Sequence, residues 1–315
     1  MEHTAELLTV SSSPHIRSPR TTRSIMADVC IALLPAVAAG TVLFGLRSLL
    51  VVLVAVCSAM LSEALFCLVT KRPQTVGDLS SAVTGIILAL NLPVSMPLWQ
   101  TALGSVVAIL VVKCLFGGIG CNFANPAAVG RIVLFVAFSS SLAAPTLYFD
   151  SLGQVDMVTG ATPLAALNEG REILPQLSDL FLGRHGGMIG ETCALAILLG
   201  AAYLLARRVI TWHIPVSCLA TVAVFALCCQ RSVPVELLTG GLLFGAVFMA
   251  TDYVTSPSSP AGKLIFGAGL GLVTMFIRVF CAYPEGVSFA ILLMNILCPY
   301  IERLTIRRPF GGEKA

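Results

Sequence analysis

Glu63, Arg131, Asp252 and Arg278 are charged side chains that stand inside otherwise apolar runs of this chain. A charge at the centre of a bilayer costs about 2.5–3.5 kcal/mol on the insertion scale. An intramembrane ionisable group is therefore a functional candidate by default. Glu63 and Asp252 are the carboxylates that would serve a cation path, and Glu63 has no evident partner near it in sequence. Arg131 and Arg278 are expected to stretch toward an interface, as long cationic side chains do. A different chemistry is offered by Asp156-Met157-Val158-Thr159-Gly160-Ala161-Thr162-Pro163-Leu164, where two hydroxyls sit among small residues. Read locally, Thr162 is an N-cap with Pro163 at the first helical position, opening a short surface helix over Pro163 to Leu174.

Eleven cysteines raise the question of a metal or iron–sulfur centre. No C-x-x-C pair occurs, and Cys30, Cys57, Cys67, Cys114, Cys193, Cys218 and Cys298 lie singly in apolar runs. The adjacent pair Cys228-Cys229 would point to different faces of a helix. Cysteine so placed packs as a small hydrophobe, and no metal site within the chain is expected.

The elements that must position these groups are transmembrane helices. Hydrophobic residues make up 57% of the chain and charged residues 11%, with a mean hydropathy of +0.93. A soluble domain carries roughly 25% charged residues, so this chain lacks the charge to cover a water-facing surface. Roughly 20 apolar residues cross a hydrocarbon core of about 30 Å. The runs Ile25 to Phe44 and Leu49 to Thr70 fit, and others begin near Trp99, Ala127, Cys193, Val209, Leu237, Leu264 and Val287. The expectation is an all-α polytopic protein of about ten transmembrane helices. Met1 to Ser24 reads as a polar arm without the apolar core or cleavage site of a signal peptide.

With that arm inside, Arg17, Arg20, Arg23, Lys71, Arg72, Lys113, Arg207, Arg208, Lys263, Arg303, Arg307, Arg308 and Lys314 fall on or near the cytoplasmic side. Arg47, Arg171, Arg184, Arg231 and Arg278 fall on or near the outer side. The positive-inside rule favours this orientation, with both termini cytoplasmic. The organisation expected is an arm over 1–24, a membrane repeat over 25–142, an extracytoplasmic loop over 143–188, a second repeat over 189–305 and a cytoplasmic tail over 306–315. The two halves resemble each other: Thr84-Gly85-Ile86-Ile87-Leu88-Ala89 beside Thr239-Gly240-Gly241-Leu242-Leu243-Phe244, and Gly117-Gly118-Ile119-Gly120 beside Gly267-Ala268-Gly269-Leu270-Gly271. An odd number of spans per half would make these two inverted five-helix repeats, an arrangement common in transporters. Ser80 to Asn91, closed by Pro93 and Pro97, is short for a span and is expected to be a half-helix.

The run Asp156 to Thr162 fits the pattern D-x-x-[ST]-G-A-T, which resembles the flavin-attachment sequence of the membrane subunits of two related respiratory complexes. Ser13-Pro14-His15-Ile16-Arg17-Ser18, Asp28-Val29, Ala32-Leu33-Leu34-Pro35, Asn122-Phe123-Ala124-Asn125-Pro126-Ala127 and Ala250-Thr251-Asp252 with Val254-Thr255-Ser256-Pro257 are similar to the D-subunit family of the Rnf electron-transport complex. The likeness runs from about residue 9 to residue 305. The B subunit of the sodium-pumping NADH:quinone reductase is the relative, but it usually has a longer N-terminal extension. The resemblance implies FMN joined to Thr162 through a phosphoester, with Asp156, Thr159, Gly160 and Ala161 as the recognition motif. A helix start would favour the phosphate charge. It also implies riboflavin as a second, non-covalent flavin, and the A, B, C, E and G subunits of the Rnf complex as partners in the bacterial inner membrane. Lipid is then the surrounding solvent, and no nucleic-acid partner is expected. Electrons would come from a flavoprotein partner on the outer side and pass back across the membrane, coupled to Na+ or H+ transport. The family pattern has proline where this chain has Tyr253. The alternatives are the quinone-reductase protein and a non-redox transporter or channel with inverted repeats.

Overall fold

The computed structural model describes residues 20–142, 146–148, 158–160, 164, 176–281 and 286–305. Asp156, Ala161, Thr162 and, apart from Leu164, the helix expected over Pro163 to Leu174 lie outside the described residues. The chain opens with two long apolar helices, α1 (Thr22–Phe44) and α2 (Leu46–Val69). Thr21 caps α1 by accepting from the Ser24 amide at 3.2 Å, and Gly45, at φ +79°, turns the chain into α2. After α3 (Ser80–Leu90) come α4 (Leu98–Cys114) and α5 (Pro126–Ala137). A short hairpin follows, with β1 (Thr146–Tyr148) antiparallel to β2 (Val158–Gly160) in the register Leu147 opposite Thr159. Then come α6 (Leu177–Leu182), α7 (Ala194–Ala206), α8 (His213–Cys228) and α9 (Val233–Leu238). Helix α10 begins at Leu242–Phe244 and runs on through Gly245–Met249, and α11 (Pro260–Phe280) and α12 (Val287–Thr305) close the fold.

The solvent is legible in which side chains face out. On α2 the buried positions include Ser48, Ala55, Ala59, Ser62 and Glu63, while Leu53, Leu61, Leu65 and Leu68 are exposed. That pattern inverts a water-soluble helix, and lipid is the solvent it suits. Among the described residues four helices, α1, α2, α11 and α12, are long and apolar enough to cross a membrane, and five shorter apolar helices accompany them. The protein is thus helical and of polytopic membrane type.

Small residues let the helices close on one another. A Cβ on Gly85 of α3 would stand 2.8 Å from Val56 Cα and 2.9 Å from the Ala55 carbonyl of α2. A Cβ on Gly267 of α11 would stand 2.6 Å from the Ile214 carbonyl of α8. The halves interlock, with α1 against α7 and α5 against α12.

Two departures from the sequence reading have local causes. The apolar run expected from Leu237 is broken at Thr239–Gly241, where Gly240 and Gly241 adopt φ +68° and +67°. Thr84-Gly85 lies inside α3 whereas Thr239-Gly240 forms this turn, so these two segments differ in local structure. What α3 and α10 do share is their entry: Leu79 (φ +66°, ψ +3°) and Gly241 (φ +67°, ψ +6°) are both left-handed. The segment expected as a half-helix is the 11-residue α3.

Candidate functional site

Among the described residues, buried polar groups gather in three places. The first joins α2, α3 and α4. Glu63, 1% exposed, forms an ion pair with Lys113 across 2.7 Å. Lys113 Nζ also donates to Ser80 Oγ at 2.6 Å, and Thr75 Oγ1 donates to Glu63 Oε1 at 2.6 Å. Helix α4 widens to π geometry over Ala108–Cys114, the segment that carries Lys113. Such insertions are frequent at functional sites.

Lys113 and Ser80 also border the second place, a cavity of about 370 Å³. Its polar wall includes Asn122, Asn125, Thr251 and Asp252, and its apolar wall Val83, Ile87 and Phe248. Asp252 accepts from Thr255 Oγ1 at 3.0 Å and lies 3.5 Å from Asn122 Nδ2. Lys113, the partner of Glu63, and Asp252, far apart in sequence, thus line one cavity. Asn125 knits the halves together. Its Oδ1 caps α5 by accepting from the Ala127 and Ala128 amides at 3.0 and 3.2 Å, and its Nδ2 donates to the Met249 carbonyl at 3.0 Å. Asn125→Ala should lower stability by about 1–3 kcal/mol, the sum of a lost cap and a stranded carbonyl. A thermal melt in detergent would read this, and an unchanged midpoint would refute it.

The third place lies around the Thr239–Gly241 turn. Arg278, 1% exposed, pairs with Glu236 at 2.8 Å and donates to the carbonyls of Glu236, Thr239 and Gly240 at 2.6, 2.9 and 3.2 Å. It therefore satisfies the C-terminal carbonyls that α9 leaves over. Arg131, 6% exposed, donates to Asn91 Oδ1 at 3.3 Å and Ser288 Oγ at 3.2 Å. Neither arginine reaches out to an interface as expected. Each is held inside by acceptors, from Asn91 and Ser288 for Arg131 and from the 236–240 stretch for Arg278, which compensates its desolvation. A Cβ on Gly241 would meet Glu191 Oε2 at 2.8 Å and Arg131 Nη1 at 3.7 Å, so both charges converge on that bare Cα. Glu191 arrives on a buried, non-helical segment, where the Ile189 and Gly190 amides bond the Leu92 and Leu90 carbonyls at 3.1 and 2.8 Å. Irregular backbone at such depth is stable only when covered by protein.

The hydroxyl motif is described only in part. Thr159 and Gly160 lie in β2, opposite Leu147 and Thr146. Leu164, two residues beyond Thr162, is fully buried, and its Cδ2 stands 2.7 Å from where a Gly240 Cβ would be. The downstream end of the motif is thereby anchored beside Arg278.

A family model described as the NQR2, RnfD, RnfE family matches residues 9–311. The chain belongs to that family. Among curated relatives, the D subunit of the Na+-translocating ferredoxin:NAD+ oxidoreductase complex of Acetobacterium woodii is 46% identical, over 98% of this chain and 96% of its own. The D subunit of the proton-translocating complex of Clostridium ljungdahlii is 37% identical, over 98% and 97% of the two chains. The D subunit of the ion-translocating oxidoreductase complex of Cronobacter sakazakii is 35% identical, over 96% and 98%. The Tyr253 hydroxyl donates to the Val209 carbonyl, tying the Asp252 turn to the α7–α8 loop. Sequence reasoning had missed Lys113, Glu191, Arg231 and Glu236 as partners in these clusters. Their position within or beside apolar runs was the available signal.

Proposed function

We propose that this chain is the D subunit of an ion-translocating ferredoxin:NAD oxidoreductase complex of the inner membrane, carrying FMN on Thr162. The observation that carries the reading is end-to-end similarity to named D subunits, at 46% identity over 98% of the chain for one of them. The motif Asp156 to Thr162 agrees with it. FMN so attached would supply electron transfer, and the protein's part is to hold it and set its surroundings. Leu164, packed on Gly240, would fix the attachment segment against the membrane-embedded body. The cavity next to Asp252 suits riboflavin as the second flavin, since ligand sites of about 300–1,000 Å³ take molecules of that size. Its apolar walls Val83, Ile87 and Phe248 would sandwich the ring, and Asn122, Asn125 and Asp252 would bond its polar edge. The finer architecture is two inverted repeats and about ten crossings with both termini cytoplasmic. The matched left-handed entries at Leu79 and Gly241 support the repeats. Glu63 and Asp252 belong to the cation path, and the A, B, C, E and G subunits of the Rnf complex complete the electron route.

The test is ultraviolet-excited fluorescence of the protein on a denaturing gel, beside Thr162→Val, from a host able to attach flavin. A fluorescent wild-type band and a dark Thr162→Val band, with signal reduced at least tenfold, are expected. A dark wild-type band, in a host that flavinylates a control protein, would return Thr162 to a helix cap and favour a non-redox transporter.

A further inference from the structure

Cysteine is usually a buried residue, yet Cys228, Cys229 and Cys281 are exposed. All three stand where helices stop: Cys228 is the last residue of α8, Cys229 follows it, and Cys281 ends α11. The packing of these two helices decides which thiols meet. A Cβ on Gly267 would meet the Ile214 carbonyl at 2.6 Å, and one on Gly271 would meet the Cys218 carbonyl at 2.7 Å. A step of one turn along α11 is matched by a step of one turn along α8. The helices therefore run parallel at a constant offset of 53 residues. The same offset sets Cys281 opposite Cys228. Their faces agree as well. Cys228 lies two turns beyond Thr221, whose Cβ is 3.0 Å from a Cβ on Gly271, and Cys281 lies four turns beyond Gly267. Residues two turns apart share one helix face. The seam is held at this end by a chain of ion pairs: Arg278, a turn before Cys281, pairs with Glu236, and Glu236 pairs with Arg231, just beyond Cys228. The Cys281 amide still donates to the Ile277 carbonyl at 3.0 Å, so its Cα stays on the helical path. Helices closed on one another through glycine bring facing Cα atoms toward the separation of about 4.4–6.8 Å that a disulfide spans.

We propose that Cys228 and Cys281 are a redox-active dithiol that closes to a disulfide on the outer side of the membrane, by exchange with a disulfide donor. One thiolate attacks a sulfur of the donor. An S–S bond forms between chain and donor, the donor's own S–S bond breaks, and its other sulfur leaves as a thiol. The second cysteine then attacks the chain's sulfur in this mixed disulfide and expels the donor's remaining sulfur. Two electrons and two protons pass to the donor, and the chain gains one S–S bond. Such bonds persist outside the cytoplasm, where no reducing thiol pool opposes them. A metal centre would need more ligands: among the described residues, no three His, Cys, Asp or Glu side chains gather to hold an ion. The bond clamps to α8 the end of α11 that carries Arg278, and Arg278 holds the Thr239–Gly241 turn. The side this end faces rests on the orientation proposed above, whereas the pairing of the two thiols does not.

The experiment treats membrane vesicles carrying the assembled complex, right-side-out or inside-out, with glutathione disulfide, which does not cross the bilayer. Free thiols are then blocked, and unreduced digests are read by mass spectrometry. A linked pair of peptides holding Cys228 and Cys281 is expected, severalfold more abundant in right-side-out vesicles. In Cys281→Ser the exchange should stop halfway, leaving glutathione on Cys228, and in Cys228→Ser it should leave glutathione on Cys281. Cys229→Ser should keep the linked pair unchanged. Wild-type chain that carries glutathione on both Cys228 and Cys281 without a link overturns the proposal, because the thiols are then too far apart. So does a link made through Cys229, or one lost in Cys229→Ser. A link that forms only in inside-out vesicles would place this end in the cytoplasm and also overturn it. Flavin fluorescence of the same vesicles tests the electron-carrier reading separately.

Discussion

Arg278→Met is expected to strip the membrane of most folded chain, lowering stability by about 3–5 kcal/mol, the usual cost of breaking one side of a buried pair. The guanidinium is 1% exposed and touches Glu236 twice, through its carboxylate and its carbonyl. Methionine fills much of the same space but donates nothing. Glu236, fully buried, would keep only Arg231, whose Nε lies 2.6 Å from its other oxygen. The carbonyls of Thr239 and Gly240 would lose the donor that ends α9. Accumulation in membranes and the melting temperature of the purified complex check this. The double variant Glu236→Gln/Arg278→Met should recover part of the loss, because no bare carboxylate remains, but not all of it, because the carbonyls stay unserved. Arg207→Ala is the contrast. Arg207 pairs with Asp28 at 3.3 Å with 54% of its side chain exposed, and exposed pairs are worth about 0–1 kcal/mol. Equal losses in Arg278→Met and Arg207→Ala would refute the argument from burial.

That contrast also marks what was legible in the sequence. Apolar length and the scarcity of charge are local properties, and they located α1, α2, α11 and α12 as well as the half-helix α3. The partners of the buried charges were not visible. Glu63 meets Lys113 across 50 residues and Arg278 meets Glu236 across 42, distances over which only helix packing decides who faces whom. A lone arginine in an apolar run reads equally as one that reaches an interface, as Arg131 and Arg278 were expected to do. Which occurs depends on acceptors supplied by other segments, here Asn91, Ser288 and the end of α9. The break at Thr239–Gly241 was hidden for a related reason: glycine is common in membrane helices, and only the packing around it reveals a left-handed turn.

At that turn, Gly240→Ala should cost roughly 2–5 kcal/mol, combining left-handed strain of about 1–2 kcal/mol with overpacking of about 1–3 kcal/mol. Gly240 sits at φ +68°, and its added Cβ would meet Arg278 Nη2 and Leu164 Cδ2 at 2.7 Å each. Neither neighbour can yield freely. Arg278 is fixed by Glu236 and two further carbonyls, and Leu164 is fully buried. Gly118→Ala separates strain from contact, since Gly118 has φ +102° but nothing within 4 Å of a Cβ. It should lose only the strain, roughly 1–2 kcal/mol. The two variants should part further in flavin yield. Pushing Leu164 off Gly240 displaces the segment two residues beyond Thr162, so the fluorescent band of Gly240→Ala should fall severalfold per mole of chain while that of Gly118→Ala stays. Adding Leu164→Ala to Gly240→Ala removes one of the two clashes and should restore part of the stability without restoring the flavin, because the anchor itself is then gone. Full flavin yield in Gly240→Ala would mean that Leu164 does not position the attachment segment, and the link between the turn and the threonine would be lost.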